Sequence, residues 1–186
     1  NALINGGAGN DHIDNHGSGK STIYAGEGND TITNNGANNL VYGGADNDSI
    51  VAWDGSNNNT LEGGAGDDTI ETHGNNNLIV YNAGDGNDVI RAIGENNTLR
   101  ILSGNVDVIR RDGDNILLTI GEDVVTVEGT NVNIIDQDGN AIDIPEIEYD
   151  IENHDSNTTV DGTNNSDRIY NEGSNVTISG GDDADN

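Results

Sequence analysis

The 186-residue chain carries 34 Asp and Glu against 6 Lys and Arg, for a formal net charge of −28, with 27 glycines, 31% hydrophobic residues and no Cys, Met or Phe. This composition excludes a wide apolar core, a disulfide scaffold, and direct binding to nucleic acid or anionic lipid. A chain so acidic and so poor in apolar residues stays disordered unless a pattern organises it.

That pattern begins at once. Gly6-Gly7-Ala8-Gly9-Asn10-Asp11-His12-Ile13 returns as Ala25–Ile32, Gly43–Ile50, Gly63–Ile70 and Ala83–Ile90. The sixth position is always Asp (Asp11, Asp30, Asp48, Asp68, Asp88), and the eighth is always Ile. Asp to Asp, the spacings are 19, 18, 20 and 20 residues. A fixed period near twenty with one short strand signal per copy predicts a solenoid. Glycines at positive φ permit a tight turn whose carbonyls converge, and a carboxylate beside them makes an all-oxygen site suited to Ca²⁺.

Between these phrases lies a second half-repeat, at Gly17–Ile23, Gly36–Val41, Gly55–Leu61, Gly74–Tyr81 and Gly94–Leu99, with Asn where the first half has Asp. One layer is then an Asp half plus an Asn half on opposite edges, so calcium is expected along one edge only. Stacked amides are expected on the other. Inward positions are expected at Ile13, Ile32, Ile50, Ile70 and Ile90 on the Asp side. On the Asn side they are Ile23, Val41, Leu61, Leu99 and one of Ile79, Val80 or Tyr81.

The Asp phrase resembles the glycine- and aspartate-rich nonapeptide of the RTX (repeats-in-toxin) family, G-G-x-G-x-D-x-U-x with U a large aliphatic. The resemblance implies a parallel β-roll with Ca²⁺ between layers. It implies as ligands the five aspartates and the carbonyls at the second and fourth positions: Gly7, Gly9, Gly26, Gly28, Gly44, Gly64, Gly66, Gly84 and Gly86. Asp46 stands where a fourth-position glycine belongs, which leaves open whether it keeps the turn or offers its own carboxylate.

The fold expected is therefore all-β: a parallel β-roll (β-solenoid) with about 18–20 residues per layer over residues 1–104, followed by a small antiparallel β-meander. The meander occupies 105–145, with strands at Val106–Arg110, Asn115–Ile120 and Val124–Val127, then a hairpin pairing Asn131–Ile135 with Ala141–Ile144 around Asp138-Gly139. Residues 146–158 read as an acidic connector, and 159–186 as the start of the next roll. Asp167 and Asp185 there match the sixth position and join the metal candidates. Ile178–Gly181 repeats Ile4–Gly7 at a displacement of 174 residues, which suggests one unit of a longer tandem protein.

Other chemistry is poorly supported. Gly26–Thr31 lacks the Lys and helix that a phosphate loop needs. His12, His16, His73 and His154 have no zinc-like spacing, and paired carboxylates such as Asp67-Asp68 lack pocket-forming elements around them. Trp53, between half-repeats, reads as a packing residue. The function expected is a non-enzymatic, calcium-binding structural unit of an extracellular fibre, filament, adhesin stalk or surface matrix, with copies of itself as head-to-tail partners. The alternative is a calcium-triggered folding and secretion module of an RTX toxin or secreted enzyme.

Overall fold

The computed structural model describes residues 2–17, 19–129, 132–144, 151–161 and 169–179. They fall in two units, Asn1–Pro145 and Glu146–Asn186. Among the described residues there is no helix; the elements are strands and turns.

In the first unit each period contributes two strands. The layers are β1 (Ala2–Ala8) with β2 (His12–Asn15), β3 (Ser21–Glu27) with β4 (Thr31–Asn34), β5 (Leu40–Ala45) with β6 (Ser49–Ala52), β7 (Thr60–Ala65) with β8 (Thr69–Thr72), and β9 (Leu78–Tyr81) with β10 (Val89–Ala92). Each strand pairs in parallel with its counterpart one period on, as in Ile13↔Ile32 and Ile23↔Val41. The odd strands and the even strands therefore build two facing sheets.

Alternation decides what lies between the sheets. Strand side chains alternate faces, so Ile32, Ile50, Ile70 and Ile90 meet Ile23, Val41, Leu61 and Leu99 in a fully buried column, with Ile13 nearly so. In the long half-repeat the register residue is Ile79, paired between Leu61 and Leu99. Val80 and Tyr81 are buried as well. Each aliphatic contributes about 1.5–3 kcal/mol of burial, so a layer holding two of them needs further support.

Past β11 (Asn97–Ile101) come β12 (Val108–Asp112), β13 (Asn115–Ile120) and β14 (Asp123–Glu128), which form an antiparallel meander. The meander is built into the roll: β14 lies parallel to β10, and β15 (Val132–Ile135) lies parallel to β11. One sheet thus continues through β11 and β15, and the other through β14, beyond the last Asp phrase. The expected hairpin over 131–144 shrinks to a single bridge, Ile135↔Ala141. Its turn is closed instead by the Asp136 carboxylate, which accepts from the N–H groups of Asp138 and Asn140, while β15 pairs with β11.

In the second unit, β16 (Ile151–Asn153) pairs in parallel with β18 (Ile169–Asn171), and β17 (Thr159–Asp161) with β19 (Thr177–Ser179). Strand structure therefore begins inside 146–158, the stretch expected as a connector. The signal was an 18-residue period, Ile151-x-Asn153-x-x-Ser156-Asn157 against Ile169-x-Asn171-x-x-Ser174-Asn175. It was hidden because neither copy in this stretch carries the glycine-rich phrase.

Candidate metal edge

The two edges of the roll use one hydrogen-bond device with opposite outcomes. On the Asp edge, each Oδ1 accepts from the N–H of the Asp one layer earlier: Asp11 N–H to Asp30 at 2.7 Å, Asp30 to Asp48 at 2.8 Å, Asp48 to Asp68 at 2.7 Å, and Asp68 to Asp88 at 3.0 Å. On the Asn edge the same bond runs from Ser21 N–H to Asn39, Asn39 to Asn59, Asn59 to Asn77 and Asn77 to Asn97, at 2.7–2.8 Å.

The second side-chain atom separates them. An amide presents N–H, and each one is used inside the roll. Asn39 donates to Asn34 Oδ1, Asn59 to Ser56 Oγ, Asn77 to Thr72 Oγ1 and Asn97 to the Gly74 carbonyl. A carboxylate presents only another acceptor. Oδ2 of Asp11, Asp30, Asp48 and Asp68 is buried and has no hydrogen-bond partner.

Two of these oxygens, those of Asp11 and Asp48, also lie close to a carbonyl. A Cβ placed on Gly6 would sit 2.5 Å from Asp11 Oδ2 and 2.6 Å from the Ala25 carbonyl oxygen, and one on Gly43 would strike Asp48 Oδ2 and the Gly63 carbonyl. Two acceptors aimed at one point without a donor form an electrostatically unfavourable arrangement that a cation resolves. Burial, reinforced by neighbouring carboxylates, pushes Asp48 up to about 7, Asp68 to about 6 and Asp88 to about 8. The repulsive neighbours include Asp30, Asp46 and Asp68 around Asp48, and Asp67, Asp68 and Asp85 around Asp88.

The glycine turns stack in the same register. Gly7, Gly9, Gly26, Gly28, Gly44, Gly64, Gly66, Gly84 and Gly86 all have positive φ. A Cβ on Gly26 would meet the Gly7 carbonyl, one on Gly44 the Gly26 carbonyl, and one on Gly64 the Gly44 carbonyl. Asp46 keeps the turn by adopting φ 74°, and its carboxylate accepts from Gly28 N–H at 3.1 Å. A second ladder, which sequence reasoning missed, runs through the fifth position. Asn10 Oδ1 accepts from Asn29 N–H, Asn29 from Asn47, Asn47 from Asp67, Asp67 from Asn87, and Asn87 from Val124. Its signal was Asn or Asp directly before every ladder Asp.

The fifth turn departs from the three before it. Gly84, like Gly7 in the first turn, has no neighbour within 4 Å of a would-be Cβ, and its N–H donates to Asp123 of β14 at 3.0 Å. The Tyr81 hydroxyl lies 2.9 Å from the Gly86 carbonyl and 3.1 Å from Asp123. Asp167 and Asp185 lie outside the described residues. Among the described residues no three His, Asp or Glu side chains gather as a metal cluster. A cation on this edge would therefore be held by single carboxylates together with main-chain carbonyls, an oxygen-only set suited to a hard ion. Trp53 stacks on His73 at 4.7 Å, and His73 lies 2.6 Å from Glu71.

Residues 3–15, 17–50, 33–58 and 53–90 match the model of the RTX calcium-binding nonapeptide repeat, in four copies. No curated protein matches the chain. Among solved structures, the extracellular lipase LipA from Serratia marcescens matches at 16% identity and a TM-score of 0.32, over 76% of this chain and 38% of that one.

Proposed function

From the premise that this chain carries RTX calcium-binding nonapeptide repeats, which bind Ca²⁺ and here form a β-roll, we propose that it is a calcium-stabilised structural unit of an extracellular repetitive protein and not an enzyme. The observation that carries this reading is the row of buried, partnerless Oδ2 atoms on one edge, beside an Asn edge that satisfies itself. Asp11, Asp30, Asp48, Asp68 and Asp88 would hold the ions, together with the stacked glycine carbonyls and the Asp46 turn. Bound Ca²⁺ supplies positive charge between layers, and roughly five ions would cancel about ten negative charges. Calcium sites of micromolar to millimolar affinity fill outside cells, which supports an extracellular setting for the folded roll.

The second unit supports a repetitive parent. Its Asn153 donates to Asn171 Oδ1 at 2.6 Å, as Asn15 donates to Asn34 at 2.7 Å. Asn171 and Asn34 each donate in turn to a glycine carbonyl two residues on. Copies of the unit, stacked head to tail, are the partners this reading names, since a roll layer with open backbone edges accepts another layer.

Circular dichroism with calcium and with EGTA tests the calcium reading. A β spectrum that appears only with calcium is expected, and one unchanged by chelation after exhaustive metal removal refutes it. Electron microscopy of native material in calcium tests the fibre reading. Thin filaments that fray in EGTA are expected, whereas isolated compact monomers would leave the folding-and-secretion module standing.

A further inference from the structure

Strand register places the fifth turn differently from the way its sequence reads. Pairing sets Gly6, Ala25, Gly43 and Gly63 level with one another, two residues past the inward Ile4, Ile23, Val41 and Leu61. Continued through Leu61↔Ile79 and Glu62↔Val80, the same register brings Tyr81 to that position, where it pairs in turn with Ile101. The ladder Asp lies five residues on from this position in each of the first four turns, and seven on in the fifth, from Tyr81 to Asp88. The phrase that begins at Ala83 is therefore two residues out of step with the strand before it. A Cβ on Gly84, inside the lengthened stretch, would meet nothing, whereas one on Gly86 would still meet the Gly66 carbonyl.

The residue at this position decides what the turn can hold. An added Cβ on Gly6, Gly43 or Gly63 would strike Oδ2 of the Asp in the same turn, so glycine there leaves room for that oxygen. Tyr81 instead sends a fully buried phenol inward. Its hydroxyl lies 2.9 Å from the Gly86 carbonyl and 3.1 Å from Asp123 Oδ2. Both neighbours are acceptors, so the hydroxyl is the donor. Asp123 Oδ2 accepts from Gly84 N–H as well, and the Asp85 carboxylate closes the lengthened stretch by accepting from Asn82 N–H at 2.7 Å. The ladder also lacks a next carboxylate. The register Val89↔Thr126 sets fully buried Val125 level with Asp88. The buried, partnerless Oδ2 atoms are those of Asp11, Asp30, Asp48 and Asp68, and Asp88 is not among them.

We propose that Tyr81 seals the fifth turn in place of a cation, so that the calcium row ends at Asp68 and the gap between the fifth turn and β14 takes no ion. The Gly86 carbonyl, which the nonapeptide pattern would offer to a metal, has a phenol proton instead, and Asp123 has two donors. Acceptors served in this way do not call for a cation, in contrast to the buried oxygens of the first four turns. Asp88 keeps its rung, accepting from Asp68 N–H at 3.0 Å, without an ion of its own above it. The inference rests on the calcium reading above and narrows it from an ion at every Asp turn to ions at the first four.

Crystals of the full chain grown in millimolar calcium test it through the anomalous scattering of the metal. Ions are expected beside Oδ2 of Asp11, Asp30, Asp48 and Asp68, and none within bonding distance of the Gly86 carbonyl and Asp123. An ion at that place overturns the proposal alone, whereas an Asp edge without any ion overturns the calcium reading and this inference with it. In solution, native mass spectrometry counts ions in variants against the wild type. Asp68→Asn should lose at least one, which shows that the count reports this edge. Asp123→Asn keeps an oxygen for Tyr81 and Gly84 and should keep the full count. Tyr81→Phe should keep it too, while its urea midpoint in calcium falls by about 0.5–1 M. Loss of an ion with Tyr81→Phe or with Asp123→Asn would make the turn a metal site and overturn the proposal, as would a Tyr81→Phe midpoint equal to that of the wild type. Should Tyr81→Phe fail to fold, the count for Asp123→Asn decides.

Discussion

Asp48→Asn should change stability in opposite directions with and without calcium. The substitution keeps Oδ1, and with it the bond from Asp30 N–H at 2.8 Å. It replaces the partnerless Oδ2 with an amide N–H beside the Gly63 carbonyl, which faces the same point. Without calcium, a buried unsatisfied acceptor is removed, worth about 1–3 kcal/mol, and a hydrogen bond worth about 1 kcal/mol is gained. The calcium-free roll should therefore gain about 2 kcal/mol or more, roughly a thirtyfold rise in the folded-to-unfolded ratio. With calcium, a charged ligand between layers is lost, which by analogy with breaking a buried ion pair costs about 3–5 kcal/mol. The assay is circular dichroism along two titrations, trimethylamine N-oxide in EGTA to drive folding and urea in millimolar calcium to undo it. The osmolyte midpoint should fall, and the urea midpoint should drop by 1 M or more for a slope of about 1–3 kcal/mol/M. A change of stability of the same sign with and without calcium, so that one midpoint rises while the other falls, would refute the assignment of Oδ2 to a cation.

The mirror substitution, Asn59→Asp, sets an acceptor against Ser56 Oγ and Asn77 Oδ1 in place of the present donor; it should cost about 3 kcal/mol with or without calcium and leave metal stoichiometry unchanged by elemental analysis. Gly64→Ala meets both a positive φ and the Gly44 carbonyl, whereas Gly84→Ala meets only the positive φ. Urea titration in calcium should show a loss near 1 kcal/mol for Gly84→Ala and clearly more for Gly64→Ala. Ile70→Ala empties a fully buried rung and should cost about 2–5 kcal/mol. For pH, the folded values of about 6 to 8 for Asp48, Asp68 and Asp88 lie above the ordinary 3.8, so the calcium-free folded state binds more protons than the unfolded chain. Its stability should be greatest below about pH 4 and fall as pH rises to about 8. Calcium affinity should run the other way, because the ion competes with those protons; calorimetric titration at pH 6 and pH 8 checks both the trend and its sign.

The sequence by itself determined the roll. A period of 18–20 residues, an invariant Asp and an invariant Ile leave one way to bury the aliphatics, stacked in register, because alternation along a strand assigns each side chain to a face. The choice of Ile79 over Val80 and Tyr81 was beyond it, since three consecutive apolar residues carry no alternation and only pairing with Leu61 and Leu99 picks the rung. The Asp and Asn edges were legible as composition, but not their energetics. Only the folded stack shows that both make the same Oδ1 bond, and that the amide then closes inward while the carboxylate oxygen is left without a partner. The fusion of the meander through β14 and β15, and the approach of Asp123 to Tyr81 and Gly84, were likewise decided by tertiary structure. Those contacts join residues some 40 positions apart in a stretch where the period has broken, and local sequence carries no information about which distant edge such a strand will complete.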